Sequence, residues 1–173
     1  MLDSMPETGV WRAALANIRV VELANFISGP FIGMQLADYG ADVVKIEHPQ
    51  RGDGLRGWGN LKDGVGLYHK VLNRNKRSVS ADLGTPLGVE IVRRLVSRAD
   101  VLIENFRPGT LEEWGLGYDV LSAINPGLVL LRVSGFGQPG PYRERSGFGS
   151  LAEAITAFAY TNGFADRPPL LPS

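Results

Sequence analysis

The chain has 173 residues, enough for one domain of ordinary size with a sizeable core. Its 18 basic and 18 acidic side chains cancel, so nothing global points to nucleic acid or an anionic membrane, and an anionic ligand must be held by a local cluster. The absence of cysteine removes disulfides, thiolate metal sites and a cysteine nucleophile, and no apolar run approaches the ~20 residues of a membrane span.

Residues 1–16 read as an N-terminal extension. They carry acidic groups and no continuous apolar stretch, so they do not read as a signal peptide, and the expected location is cytoplasmic. Ile18–Leu23 is a short apolar run, expected as a buried strand. Pro30 suits the first position of a helix, Phe31–Tyr39 has helical spacing, and Gly40 fits its stop. Ala41–Glu47 is the next strand, which makes a β-α-β unit with parallel strands. Residues 48–66 read as a long loop and Leu67–Leu72 as a short helix. Arg77–Leu83 is a strand. A helix capped by Thr85 follows, with Leu87, Ile91, Leu95, Val92 and Val96 on one face. Val101–Glu104 and Leu128–Val133 are further strands around a helix at Tyr118–Ile124. Ser134–Phe148 is a glycine-rich loop, Ser150–Thr161 a helix, and the tail is extended and proline-rich. The alternation predicts an α/β domain with a mainly parallel sheet and flanking helices. The closing stretch has no finishing element, so the expectation is a fragment.

Ligands of open α/β sheets collect beyond the C-terminal ends of the strands. Ala24–Gly29 leads into a helix N-terminus, where free N–H groups favour an anion, and it fits a plain turn equally well. His48–Gly59 carries Arg51, Arg56 and Trp58 among glycines and reads as a ligand loop or a solvated one. Asn73-Arg74-Asn75-Lys76-Arg77 places cations beside amides, as a phosphate cradle or a basic turn would. Asn105-Phe106-Arg107-Pro108-Gly109 sets an amide, a ring and a cation at a strand end, for a purine or phosphate, or as a simple connection. The glycines of Gly135–Gly149 permit close backbone approach, and also flexibility. His48 and His69 lack partners at metal-ligand spacing, so no metal site is expected. Glu47 ends a strand, and the structural role is preferred for it.

The strings LADYGADVVKIEHPQRGDGLRGWG, NRNKRSVSADLGTPLG and ADVLIENFRPGTLEEWGLGYDVLSAINPGLVLLRVSGFGQPGPYRERSGF resemble consecutive blocks of the family III CoA-transferases. This CaiB/BaiF group includes formyl-CoA transferase, carnitine CoA-transferase and acyl-CoA racemases. The resemblance runs from about Leu15 to Pro169. It implies a Rossmann-like coenzyme A domain over 17–149. Residues 150–173 would begin the linker to a C-terminal part, in an interlocked homodimer or with a complementary chain. The substrates implied are acyl-CoA and a carboxylic acid. By the same resemblance the coenzyme A contacts fall on Ile27 and Ser28, on His48, and on Asn73, Arg74, Asn75 and Lys76. They continue at Asn105, Phe106 and Arg107, and at Ser146, Gly147, Phe148 and Gly149. Arg74, Lys76 and Arg107 would serve the phosphates and Phe106 the adenine.

The resemblance also implies covalent catalysis by an aspartate, through an aspartyl-CoA thioester. That aspartate is expected beyond Ser173, and Asp166 is not its counterpart. The chain alone is therefore expected to bind coenzyme A without turnover. Phe148 stands where racemases carry the histidine base, so the racemase branch is disfavoured, as is oxalate or formate chemistry by Ile27. Glu113 stands where some relatives carry a phosphate-binding arginine.

Overall fold

A computed structural model describes residues 13–170 of the chain. The elements in chain order begin with β1 (Arg19–Glu22), α1 (Ser28–Asp38) and β2 (Asp42–Glu47). A 3-10 turn at Gly54–Gly57 leads to β3 (Leu61–Lys62), β4 (Val65–Gly66) and α2 (Leu67–Leu72). Then come β5 (Lys76–Ser80), α3 (Pro86–Val96), β6 (Val101–Glu104), α4 (Thr110–Glu113) and α5 (Tyr118–Ile124). β7 (Val129–Arg132), α6 (Gly149–Ile155) and α7 (Phe158–Thr161) complete the series.

Five strands form one parallel sheet in the order β5-β2-β1-β6-β7. Alternation along each strand divides its side chains between two layers. On one face Val20, Val43 and Ile103 pack with Ala37 of α1; on the other Val21, Ile46 and Leu102 pack with Val92 and Val96 of α3, Leu111 of α4 and Leu121 of α5. Each fully buried valine or leucine contributes about 1.5–3 kcal/mol. The α/β class with a mainly parallel sheet is thus the observed one. The order reverses at β1. The chain first adds β2 and β5 on one side, then crosses to β6 and β7 on the other, which opens a switch point between β1 and β6.

α1 begins at Ser28, earlier than the Pro30 start expected, because Phe31 N–H already donates to the Ile27 carbonyl (2.8 Å) and Pro30 sits in the first turn, where no donor is needed. It stops at Gly40, whose φ of 96° allows Ala41 N–H to reach the Leu36 carbonyl (3.0 Å). The loop expected over 48–66 contains the β3–β4 hairpin. Its turn is Asp63-Gly64, at φ 55° and 74°, the positive values a two-residue hairpin requires. The helix expected over Ser150–Thr161 is two short helices, because Ala157 adopts φ 60° and ends the hydrogen-bond ladder. Leu87, expected on the buried face of α3, is 72% exposed, whereas Val92 and Val96 are fully buried. Thr85 does cap α3, accepting from Gly88 N–H at 3.1 Å. Residues 1–12 of the expected N-terminal extension and the last three of the tail lie outside the described residues.

α3 is seated through Gly88, where an added Cβ would fall 1.9 Å from the Asp82 carbonyl oxygen. Alanine is the better helix former by ~1 kcal/mol, yet Gly88→Ala must push the helix off the strand exit. The expected outcome of urea unfolding is a loss of ~2 kcal/mol or more for Gly88→Ala. Gly57→Ala, whose Cβ meets nothing within 4 Å, should stay within about 0.5 kcal/mol of the native chain.

Candidate functional site

The loops leaving β1 and β6 meet at the switch point through one side chain. Asn105, just after β6, accepts from Asn25 N–H (2.8 Å) and donates to the Asn25 carbonyl (2.7 Å), and its amide lies 3.4 Å from Ser28 Oγ. The β1 loop is thereby held against the β6 loop, with Ser28 opening α1 between them. Phe26 adopts φ 61°, a conformation that costs a bulky residue energy and persists only when its surroundings enforce it. The enforcing group is Asp53, which accepts from Phe26 N–H (3.0 Å) and Leu55 N–H (2.9 Å) through one oxygen.

Beneath these loops runs a chain of buried charges. Lys45, in the middle of β2, is 2% exposed and lies 2.9 Å from Glu22, 2.9 Å from Asp53 and 2.6 Å from the Ala24 carbonyl. Glu22 and Asp53 are wholly buried. The second oxygen of Glu22 lies 2.8 Å from Lys76, which donates to the Pro30 carbonyl (2.8 Å) and Asn73 Oδ1 (3.0 Å). The Asp53–Lys45 and Glu22–Lys76 contacts are charge pairs at angles poor for hydrogen bonding. Burial pulls the Lys76 ammonium below the usual lysine range, opposed by Glu22. The sequence expectation of a phosphate-facing Lys76 meets a side chain only 1% exposed and turned inward.

Glu47 closes β2 in a similar way. It pairs with Nε and Nη2 of Arg56 (2.7 and 2.8 Å) and accepts from Asp53 N–H (2.9 Å) and Ser78 Oγ–H (3.2 Å). Burial alone would raise this carboxyl; Arg56, the Asp53 N–H and Lys45 outweigh it and lower it to about 2. The structural role expected for Glu47 is what these contacts describe, and Arg56 of the second loop is occupied by it. Burial and the nearby Arg56 also keep the His69 imidazole below its usual range.

The β6–β7 side carries its own tie. Burial raises the Glu104 carboxyl, and Arg132 (2.7 Å) and Phe106 N–H (2.7 Å) oppose that rise. Phe106 is thus fixed through its backbone while its ring meets Trp114 edge-on at 5.0 Å. Arg132 also grips Glu112 of α4 with two nitrogens (2.7 and 3.1 Å). Gly135 and Gly147 pass so closely that a Cβ on either would fall 2.3–2.4 Å from the other's Cα. This closes the glycine-rich loop and brings Ser146 Oγ within 2.6 Å of the exposed Arg107.

The structure therefore gathers Ile27, Ser28, Asn105, Phe106, Arg107 and Ser146–Gly149 around the C-terminal ends of β1, β6 and β7. His48 follows β2 on the same edge; its Nδ1 accepts from Gln50 and Arg51 N–H (3.2 and 3.3 Å). Asn73–Lys76 is placed differently. Residues 73–75 precede β5 and Lys76 opens it, so Arg74 and Asn75 lie at the opposite edge, on Asp38 at the end of α1. Arg74 holds the Asp38 carboxyl below the usual range. Sequence reasoning missed Glu22, Lys45, Asp53 and Asn25. The available signal was Lys45, a lone cation inside the run VVKIE. Among the described residues no group of histidines and carboxylates is arranged to hold a metal, and no helix is long and apolar enough to cross a membrane.

A parallel sheet whose switch-point loops carry an amide bridge, an exposed arginine and a glycine-closed loop defines an α/β protein with its polar and cationic loop groups gathered at one edge. The family model of CoA-transferase family III matches residues 15–173, and the chain belongs to that family. It is 54% identical over 156 residues to succinyl-CoA–D-citramalate CoA-transferase of Chloroflexus aurantiacus, covering 90% of this chain and 39% of that protein. It is 44% identical over 163 residues to succinate–glutarate CoA-transferase of Agrobacterium fabrum, covering 90% and 41%. A crystal structure of a CaiB/BaiF family protein from Brucella suis superposes with a TM-score of 0.89 at 42% identity, over 94% of this chain and 44% of that one. The chain spans about two fifths of the length of the curated relatives it matches.

The depressed Glu47 carboxyl stabilises the fold above its ordinary value of 4.5, and that stabilisation is lost as pH falls from there to about 2. With Arg56 partly screened by solvent, the loss is on the order of 2 kcal/mol. Urea titrations between those limits should show this slope in the native chain and a flatter one in Glu47→Gln.

Proposed function

We propose that this chain supplies the coenzyme A-binding part of an enzyme that moves CoA between an acyl-CoA thioester and a carboxylic acid. The observation that carries the reading is the Asn105 bridge. It joins the β1 and β6 loops at the switch point, beside the Arg107–Ser146 contact. In this reading Ile27, Ser28, His48, Asn105, Phe106 and the stretch Ser146–Gly149 line the coenzyme A, and Arg107 is the cation that meets its phosphates. Lys76, held by Asn73, acts through Glu22 and the Pro30 carbonyl, and Arg74 and Asn75 through Asp38, to hold α1 in place. The two transferases named above carry succinyl-CoA or succinate in their names, which supports a succinyl donor and a dicarboxylate acceptor.

The chemistry of the reading is covalent. An aspartate carboxylate attacks the thioester carbonyl, forming a mixed anhydride and releasing the CoA thiolate. The thiolate attacks the aspartyl carbonyl, giving an aspartyl-CoA thioester and the free donor acid. The acceptor carboxylate then attacks the aspartyl-CoA, and the returning thiolate takes its acyl group. By the family resemblance the nucleophile is assigned to an aspartate outside residues 1–173; Asp53 is buried against Lys45, and Asp166 precedes the matching segment. Residues 17–149 form the binding domain and 150–173 lead toward the remainder. Large exposed apolar side chains from the N-cap of α6 onward, among them Phe148, Ile155, Tyr160 and Phe164, support a covering partner, an interlocked second copy or a complementary chain. A cytoplasmic setting is part of the same reading.

Titration calorimetry with CoA tests the site. Arg107→Ala should weaken binding about tenfold, the worth of one or two charge-assisted contacts, whereas Arg74→Ala should leave it unchanged. Equal effects of the two substitutions would overturn the assignment. The 173-residue chain, incubated with succinyl-CoA and a dicarboxylate, should show no CoA transfer. Turnover would place the nucleophile inside it, and α-proton exchange with solvent deuterium without transfer would favour the racemase branch.

A further inference from the structure

The edge of the sheet opposite the strand-end loops carries a cleft of about 550 Å³ that the coenzyme A reading does not use. One wall is made by the first residues of three adjacent strands. Arg19 pairs in register with Asp42, and Arg77 stands beside Val44, on the same face of the sheet as Val21. The other wall is the C-terminal turn of α3 and the residues after it, with Arg94, Leu95 and Arg98. The cleft is thus lined by four arginines, two from the strands and two from the helix end, over an apolar floor of Val20, Val21, Val44 and Leu95. In a chain with no net charge, this is a local concentration of one sign.

The structural duties such arginines often serve are filled by other groups. The last carbonyls around α3 are capped by the Asn125 amide, which donates to Val96 (2.9 Å) and Ala99 (2.7 Å), so the helix end does not need Arg94 or Arg98. Asp100 turns its carboxylate to the Arg19 backbone N–H (2.8 Å). Asp42 pairs with Arg77, and Glu90 with Arg94, as exposed contacts of the kind worth least and exchanged most readily. Among the described residues, Arg19 and Arg98 have no carboxylate partner within ion-pair distance. The carbonyl end of α3 and Asp42 oppose an anion here, and the four guanidiniums outnumber them.

We propose that this cleft is a second anion site, for a small molecule bearing two anionic groups on a short body that rests on Val44 and Leu95. Guanidinium forks on both walls suit phosphate or carboxylate oxygens alike, and the volume is that of a small-ligand pocket. The site lies on the far side of the sheet from Arg107 and Asn105, so its occupant does not compete with coenzyme A.

The test is calorimetric titration of inorganic pyrophosphate into the 173-residue chain, with and without saturating CoA, for the native chain and the Arg94→Ala/Arg98→Ala double variant. Both substituted side chains are exposed, and an unchanged thermal melt certifies the variant's fold; Arg94→Gln/Arg98→Gln replaces it if the melt shifts. Saturable binding that persists with CoA, weakens with added salt and falls at least tenfold in the variant is the expected result. Succinate then competes if the natural ligand is a dicarboxylate, and fails to compete if it is a bisphosphate; either result keeps the site. Absence of saturable binding, equal binding by the variant, or displacement of pyrophosphate by CoA would overturn it.

Discussion

The buried alternation Asp53–Lys45–Glu22–Lys76 is the constraint on which the rest of the molecule depends. Taking charges out of water is costly, and a buried ion is tolerated only when its partners are close and its remaining protons and lone pairs are matched. Here two lysines and two carboxylates sum to zero, and the surplus N–H groups go to the Ala24 and Pro30 carbonyls and to Asn73. Those are the points where the chain leaves β1, enters α1 and turns toward β5. The network therefore sets the positions of backbone segments far apart in sequence. Gly33 is part of the same arrangement, since any Cβ there would fall 1.9 Å from the Glu22 carboxylate. α1 lies against a buried charge because its second turn has no side chain at that point.

From this foundation the switch-point loop acquires its shape. Asp53 holds the Phe26 backbone in an unfavourable conformation, and Asn105 holds Asn25 from the other side. The two contacts fix the entry to α1 between the loops of β1 and β6. The entry to α1 is thus held from both sides, and polar groups facing outward are left to Ser28, Arg107 and Ser146.

Much of the fold was legible because its signals are local. The runs VVEL, VVKIE, VLIE and VLLR give the strands, Thr85-Pro86 gives the start of α3, and Gly40 the end of α1. The missed hairpin also had a local signal, Asp63-Gly64, within a stretch read only for its composition. The break at Ala157 had none, since alanine ordinarily continues a helix. The site was legible in part. The residues taken from the resemblance divide between two edges of the sheet, and that division follows from strand direction, which the order of motifs does not reveal. A lysine beside amides, such as Lys76, looks the same in sequence whether it faces solvent or a buried glutamate. The charges that organise the site sit in strands, where residue type alone gives burial but not partners.

Hydrogen–deuterium exchange of the chain with and without CoA tests the central claim most directly, because it reads every loop at once. The account predicts added protection at residues 25–29, 105–109 and 146–149, with amides at the start of β1 and around Arg94–Arg98 unchanged. Protection confined to the far edge, or to Asn73–Lys76, would contradict it.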